Sequence, residues 1–268
     1  MSRSEPSYLL SGQASELERL TLQSRVWEPA GRDLLNEIHA GSAPRAIDIG
    51  CGALGWLRIL SEWAGRNGEV TGSDIDDRLL AAARSFIEDE GLRNVTVVRD
   101  DLFDSRLEAA TFDLVHSRFQ IAPLGRGPEQ MAVYLRLAKP GGWLVVEDPD
   151  IASWHVNPDA PGVNRLIALI EEGFRAAGGC FSSGRELPAL FRSLGLKPEV
   201  RARVVALGPG HPYLRLPIQF ANALRPRLDA LAGQQAVEET MRLADAELNN
   251  PECWGTTFTL IQSYAQVP

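Results

Sequence analysis

Short apolar runs that each close on a polar residue recur through the first 150 positions of the chain. Ala46-Ile47-Asp48-Ile49 ends at Gly50, and Val70-Thr71-Gly72-Ser73 ends at Asp74. Val95 to Arg99 runs into Asp100-Asp101, Phe112 to His116 into Ser117-Arg118, and Trp143 to Glu147 into Asp148. Runs of this length and composition read as strands. Between them apolar residues return at helical spacing, predicting helices over 55–65, 78–90 and 128–138. Upstream, Leu17, Leu20, Leu22, Val26, Leu34, Leu35 and Ile38 predict helix over 15–40, broken near Pro29 and Gly31. Past residue 150 the rhythm changes. Helices are expected over 164–177 and 185–194, strands over 199–207 and 256–265, and a mostly helical insertion over 211–248.

Strands alternating with helices predict an α/β chain with a doubly wound, mostly parallel sheet and helices on both faces. Ligands of such sheets bind beyond the carboxyl ends of the strands, where the strand order reverses. The expected organisation is one domain over 1–268: a helical cap over 1–42, a cofactor-binding core over 43–150, and a substrate side over 151–268. The insertion is expected to serve as a helical lid. With Lys+Arg 27 against Asp+Glu 35, the chain is acidic, which argues against a nucleic-acid or anionic-membrane partner. Cys51, Cys180 and Cys253 are too scattered for a zinc site or disulfide framework. The first 20 residues hold no basic leader with an apolar core, and no apolar run approaches the roughly 20 residues of a membrane span. A cytoplasmic protein without a bound metal is the expectation.

Gly50-x-Gly52-x-x-Gly55 follows the first strand, where a glycine-rich turn brings backbone close to a ligand. Asp48 narrows the choice of ligand. A nicotinamide or flavin cofactor would set its pyrophosphate beside that carboxylate and be repelled, whereas a cationic adenosyl cofactor would not. Asp74 stands about 20 residues beyond the turn, where an acid accepts hydrogen bonds from ribose hydroxyls. Asp76 or Asp77 could cap the helix that follows.

Together with Asp100-Asp101-Leu102, Phe112-Asp113-Leu114-Val115 and Lys139-Pro140-Gly141-Gly142, the Asp48-x-Gly50-x-Gly52 motif resembles class I S-adenosylmethionine-dependent methyltransferases, small-molecule type. The resemblance implies a Rossmann-like sheet with an antiparallel last strand. It also implies that Asp101 meets the adenine amino group, with Leu102 against the ring, and that Asp113 fixes a turn. By the same resemblance, His116, Ser117 and Arg118 face the methionine half of the cofactor, and Tyr8 and Gln23 fold over it. The cofactor-binding set is completed by Cys51, Gly55, Ile75 and Asp100. Arg118 or Arg25 could neutralise the cofactor carboxylate.

A general base is needed only where the acceptor must lose a proton. Candidates are His116, His155, His211, Glu147 and Asp148; His39 lies away from the expected site. Pro212, Tyr213, Leu214, Leu216, Phe220, Leu224 and Leu228 make the expected lid apolar, and Trp27, Phe119 and Trp154 could line the same space. That predicts a small hydrophobic or aromatic acceptor, methylated at oxygen, nitrogen or carbon, with specialised metabolism as the expected setting. The alternatives are a cofactor-binding relative repurposed for non-methylating chemistry or no catalysis, and an NAD(P)-dependent oxidoreductase. A homodimer is compatible with either N-terminal or lid helices as the interface.

Overall fold

The structure is a computed structural model that describes residues 14–39 and 41–268. Its main sheet has seven strands in the order β3-β2-β1-β4-β5-β10-β7. These are β1 (Arg45–Ile49), β2 (Glu69–Asp74), β3 (Val95–Arg99), β4 (Phe112–Arg118), β5 (Ala138–Asp150), β7 (Glu199–Arg203) and β10 (Thr259–Gln266). β1 pairs in parallel with both β2 and β4, so Asp48 stands level with Gly72 on one side and His116 on the other. The order reverses there, opening a crevice above β1 and β4. The late strand β10 runs antiparallel to β5 and β7, as the resemblance implies.

Helix α1 (Ala14–Leu35) runs unbroken through Pro29 and Gly31, contrary to the expected break. Tertiary packing overrides the local signal. Trp27, Ala30 and Leu34 are buried along the helix, and a Cβ on Gly31 would stand 2.7 Å from Ile59 Cδ1. Gly31 therefore admits α2 (Leu57–Ala64) at close range. Helices α3 (Asp77–Asp89), α4 (Ile121–Leu124), α5 (Gly127–Leu137), α6 (Pro161–Ala176) and α7 (Leu187–Ser193) follow. Asp76 is the residue that caps α3, accepting from the Arg78 and Leu79 N–H groups at 2.8 and 3.4 Å.

The strands expected over 199–207 and 256–265 each divide. β8 (Ala206–Leu207) and β9 (Trp254–Thr256) leave the main sheet and join β6 (His155–Asn157) in a second sheet of order β6-β9-β8. Val205 and Thr257 hold the crossing, with Thr257 N–H on Val205 O and Val205 N–H on Thr257 Oγ1, both 3.0 Å. The insertion is α8 (Leu216–Ala223), α9 (Arg225–Ala232) and α10 (Gln234–Leu248). Leu216, Phe220, Leu228 and Val237 of these helices share one core with Val163, Leu166, Ile170 and Phe174 of α6. No helix among the described residues is long and apolar enough to cross a membrane.

Candidate cofactor site

The turn after β1 is built by three glycines at φ +66, +56 and +43, for Gly50, Gly52 and Gly55. At Gly55 the requirement is steric as well, since a Cβ would lie 2.0 Å from Asp48 Oδ2. That carboxylate is already engaged: Oδ2 accepts the Trp56 N–H at 2.6 Å, tying the strand to the head of α2. Asp74 Oδ2 accepts the Gly52 N–H at 2.9 Å and Oδ1 the Asp76 N–H at 2.9 Å, so one acid braces two loops. Asp101 caps the turn at 102–104 through the Phe103 N–H at 2.9 Å, and Asp100 accepts the Arg106 N–H at 3.1 Å. Burial raises the pKa of Asp74 and pushes that of the Cys51 thiol well up, the latter helped by Asp48 and Asp74.

These loops enclose a cavity of about 290 Å³ above the ends of β1, β2 and β4. It brings together Gln23, Asp48, Gly50, Cys51, Gly52, Gly55, Asp74, Ile75, Asp100, Asp101, Leu102 and Arg118. Tyr8 lies outside the described residues. Arg25 lines a neighbouring surface cleft instead. Phe119, expected on the acceptor side, also lines the cavity, as do Phe103, Gln120 and Arg126, which had no local signature. Phe119 and Arg126 sit at φ +59 and +54, conformations that cost a side-chain-bearing residue energy and that cluster at functional sites. The Arg126 guanidinium lies 3.7 Å from the centroid of the Phe103 ring. Only the Gly125-Arg126-Gly127-Pro128 run could have marked this bend in advance.

His116 and Ser117 alternate to opposite faces of β4, and neither lines the cavity. The Ser117 hydroxyl pairs with the Tyr134 hydroxyl at 3.0 Å. His116 is 0 % exposed and stacked on Trp56 at 3.7 Å between ring centroids. Its Nδ1 lies 2.7 Å from Asp48 Oδ1 and its Nε2 3.2 Å from Glu147 Oε2. Burial opposes charge on the imidazole, but the two carboxylates outweigh it and raise the pKa above its ordinary value.

Glu147 and Asp148 are also fully buried. The Gln262 amide donates to Glu147 Oε1 at 2.5 Å. Asp148 accepts the Ile121 and Ala122 N–H groups at 3.2 Å each, and burial pushes its pKa up to about 8. His155 is exposed and bonds Ser153 O. His211 Nδ1 accepts the Tyr213 N–H at 3.1 Å, capping the turn at 212–215. None of the four histidines lines the cavity.

Arg118 is the exception among the charged residues of β4 and β5. Its side chain is 7 % exposed, its Nε stands 3.9 Å from Glu147 Oε2, and it lines the cavity. Its Nη1 is buried without a hydrogen-bond partner among the described residues. An unmatched guanidinium nitrogen beside a cleft suits a ligand carboxylate. With acids at the tips of β2 and β3, the donor and acceptor set fits an amino-acid-bearing nucleoside.

Residues 46–142 match the family model described as a methyltransferase domain. Among curated proteins, the demethylmenaquinone methyltransferase of Staphylococcus haemolyticus is 27% identical over 123 residues, 46% of this chain and 49% of that protein. The aklanonic acid methyltransferase of a Streptomyces species is 29% identical over 136 residues, 51% of this chain and 61% of that protein. The match to the first of these therefore spans about half of its length. A solved SAM-dependent methyltransferase from Aquifex aeolicus superposes with a TM-score of 0.54 at 21% identity, covering 73% of this chain and 93% of its own; it shares the fold. A solved structure that shares the fold at 17% identity and a TM-score of 0.53, a phosphoethanolamine N-methyltransferase of Haemonchus contortus, is in complex with S-adenosyl-L-methionine and covers 89% of this chain and 52% of its own. The stretch 46–142 is thus similar to methyltransferase domains, and the sheet around it has the fold of a solved S-adenosylmethionine-dependent methyltransferase.

Proposed function

We propose that this chain methylates a small hydrophobic or aromatic acceptor, with Asp74 on the ribose, Asp101 and Leu102 at the adenine, and Arg118 on the carboxylate of the cofactor. The observation that carries this reading is the cavity itself. It joins the glycine turn, the two strand-tip acids and the unmatched Arg118 Nη1 around one space. When bound, S-adenosylmethionine supplies an electrophilic methyl carbon: an acceptor lone pair forms the new bond while sulfur recovers the electron pair of the old one. The protein's part is to orient the acceptor and exclude water, and such positioning can contribute roughly 7–11 kcal/mol.

The names of the relatives, demethylmenaquinone and aklanonic acid methyltransferases, support an acceptor of hydrophobic, ring-bearing type and a role in specialised metabolism. Helices α8 to α10 are assigned as the cap on the acceptor side. The buried carboxylates and His116 are assigned to holding the strand tips rather than to proton transfer, since they are closed off from the cavity. Calorimetric titration with S-adenosylhomocysteine tests the reading. Binding is expected in the wild type and about tenfold weaker in Asp74→Ala, which loses the ribose acceptor and the brace on Gly52. Absence of binding to the wild type, with NADH bound instead, would overturn it.

A further inference from the structure

His116 and Arg118, both on β4, share one carboxylate oxygen. Glu147 Oε2 stands 3.2 Å from His116 Nε2 and 3.9 Å from Arg118 Nε. The neutral Gln262 amide of β10 occupies Oε1 at 2.5 Å. On the other edge of the imidazole, Nδ1 lies 2.7 Å from Asp48 Oδ1, and Asp48 Oδ2 holds the Trp56 N–H at the head of α2. The Trp56 ring lies within 11° of parallel to the imidazole and adds no charge. A line of polar groups thus connects the glycine turn to Arg118 behind the cavity.

The line fixes a protonation state by geometry. A neutral imidazole has one N–H and would turn a lone pair toward one of the two carboxylates. Only the imidazolium donates to both. Asp48, His116, Glu147 and Arg118 then sum to zero charge, with side chains 2 %, 0 %, 0 % and 7 % exposed. Without the charge on His116, two buried carboxylates would be left to one guanidinium, and interior dielectric makes that imbalance costly. Glu147, the carboxylate beside Arg118, would then draw on it.

Resting on the proposed cofactor site, we infer that His116 is a positioning residue: its imidazolium takes up the charge of Glu147 and so leaves the Arg118 guanidinium to the carboxylate of the ligand. His116 itself touches no ligand, since it does not line the cavity. Arg118 Nη1, buried without a hydrogen-bond partner among the described residues, is the group kept available. A neutral side chain at position 116 lets Glu147 close on the guanidinium. The penalty falls on ligands that carry a carboxylate and spares those that do not.

The test compares S-adenosylhomocysteine with its decarboxylated aminopropyl analogue, by calorimetry on the full chain at neutral pH. The two share nucleoside, thioether and amine, so the ratio of their affinities isolates the carboxylate. The wild type is expected to prefer S-adenosylhomocysteine about tenfold, as one charge-assisted pair supplies. His116→Gln is expected to bring the two ligands within about twofold, and adding Glu147→Gln to restore a preference of about fivefold or more. Binding of the decarboxylated analogue reports that each variant is folded. A second substitution in the same core does not repair a damaged fold, so rescue reports charge. Glu147→Gln alone is expected to keep the wild-type preference or exceed it, and it decides the matter if His116→Gln does not fold. Histidine nitrogen spectra of the wild type are expected to show a buried ring with both nitrogens protonated. A preference unchanged in His116→Gln, no rescue in the folded double variant, a preference lost in Glu147→Gln, or a neutral buried ring overturns the inference. Equal affinity of the wild type for both ligands also overturns it. If the wild type binds neither, the proposed function beneath it falls instead.

Discussion

The proposed cofactor side and the proposed acceptor side of this sheet are held together by different chemistry. Over the ends of β1, β2 and β3, order comes from short-range polar bonds: Asp48 to Trp56 N, Asp74 to Gly52 N, Asp101 to Phe103 N. Beyond β5, order comes from rings. Trp27, Trp154, Phe174, Phe181, Phe220 and Phe258 converge from five stretches of chain into one core. The cavity of the proposed cofactor side is walled by backbone and carboxylates, so its geometry is set by loops. The acceptor side offers shape, and aromatic packing can be resculpted ring by ring without disturbing those loops.

If the separation is real, damage should sort by side. The largest effect is expected from Phe181→Ala, at about 3–5 kcal/mol of stability for a buried ring removed. Affinity for S-adenosylhomocysteine should persist below the lowered melting temperature. Urea unfolding together with calorimetry checks both halves of the statement, and joint loss of binding in the folded variant would break the comparison.

Gly52→Val should do the reverse. A Cβ there meets nothing nearer than Leu20 Cδ1 at 3.8 Å, so the side chain projects into the cavity. Affinity is expected to fall about 100-fold, with about 1–2 kcal/mol of backbone strain from the positive φ. Unchanged affinity would remove Gly52 from the site.

The pH dependence of stability sharpens the boundary between the two sides, where Asp148 and His116 sit. Both groups have folded pKa values above their ordinary ones, Asp148 at about 8. Their contribution is complete below the unfolded values and is lost as pH rises through the folded ones. Stability should therefore decline from about pH 4 toward pH 8, by at least about 1.4 kcal/mol, the equivalent of one pKa unit. Asp148→Asn should flatten most of that slope, leaving the part above pH about 6.5 that belongs to His116. A stability that rises across this range would contradict the burial of Asp148 and the pairing of His116 with its two carboxylates.

His211→Ala should matter least. The loss of the cap on the Tyr213 N–H is expected to cost about 1 kcal/mol, with S-adenosylhomocysteine binding intact. A collapse of turnover without loss of stability would return His211 to the reacting centre.

Legibility followed the same divide. β2 and β3 appear over the residues the apolar runs mark, and the glycine turn with Asp74 and Asp101 surrounds one cavity as its spacing implies. Asp101 lies two residues from the N–H it caps, and Asp74 reaches Gly52 across the single strand–helix–strand unit of 22 residues that the motif spacing defines. Phe103, Gln120 and Arg126 were not legible, because their membership depends on where β3 and β4 end and how the chain bends after them. His116 and Arg118 are two residues apart on one strand, yet one is sealed between carboxylates and the other opens to the cavity. The same limit explains α1. Pro29 and Gly31 signal a break, and only the close approach of α2 makes continuity worth more than the lost backbone hydrogen bond.

From periodicity and glycine spacing alone follow the alternating strands and helices and the crevice at the tips of the strands, since backbone torsion and local capping are short-range; the expected class of cofactor came from Asp48 and the family resemblance. Tertiary packing decided which polar groups are buried, how Arg19 meets Phe220, and that the strands after residue 199 split between two sheets. Burial and ring packing depend on partners as far as 232 residues apart, the separation of Gln262 from Ala30, and such partners meet only when the whole chain has folded.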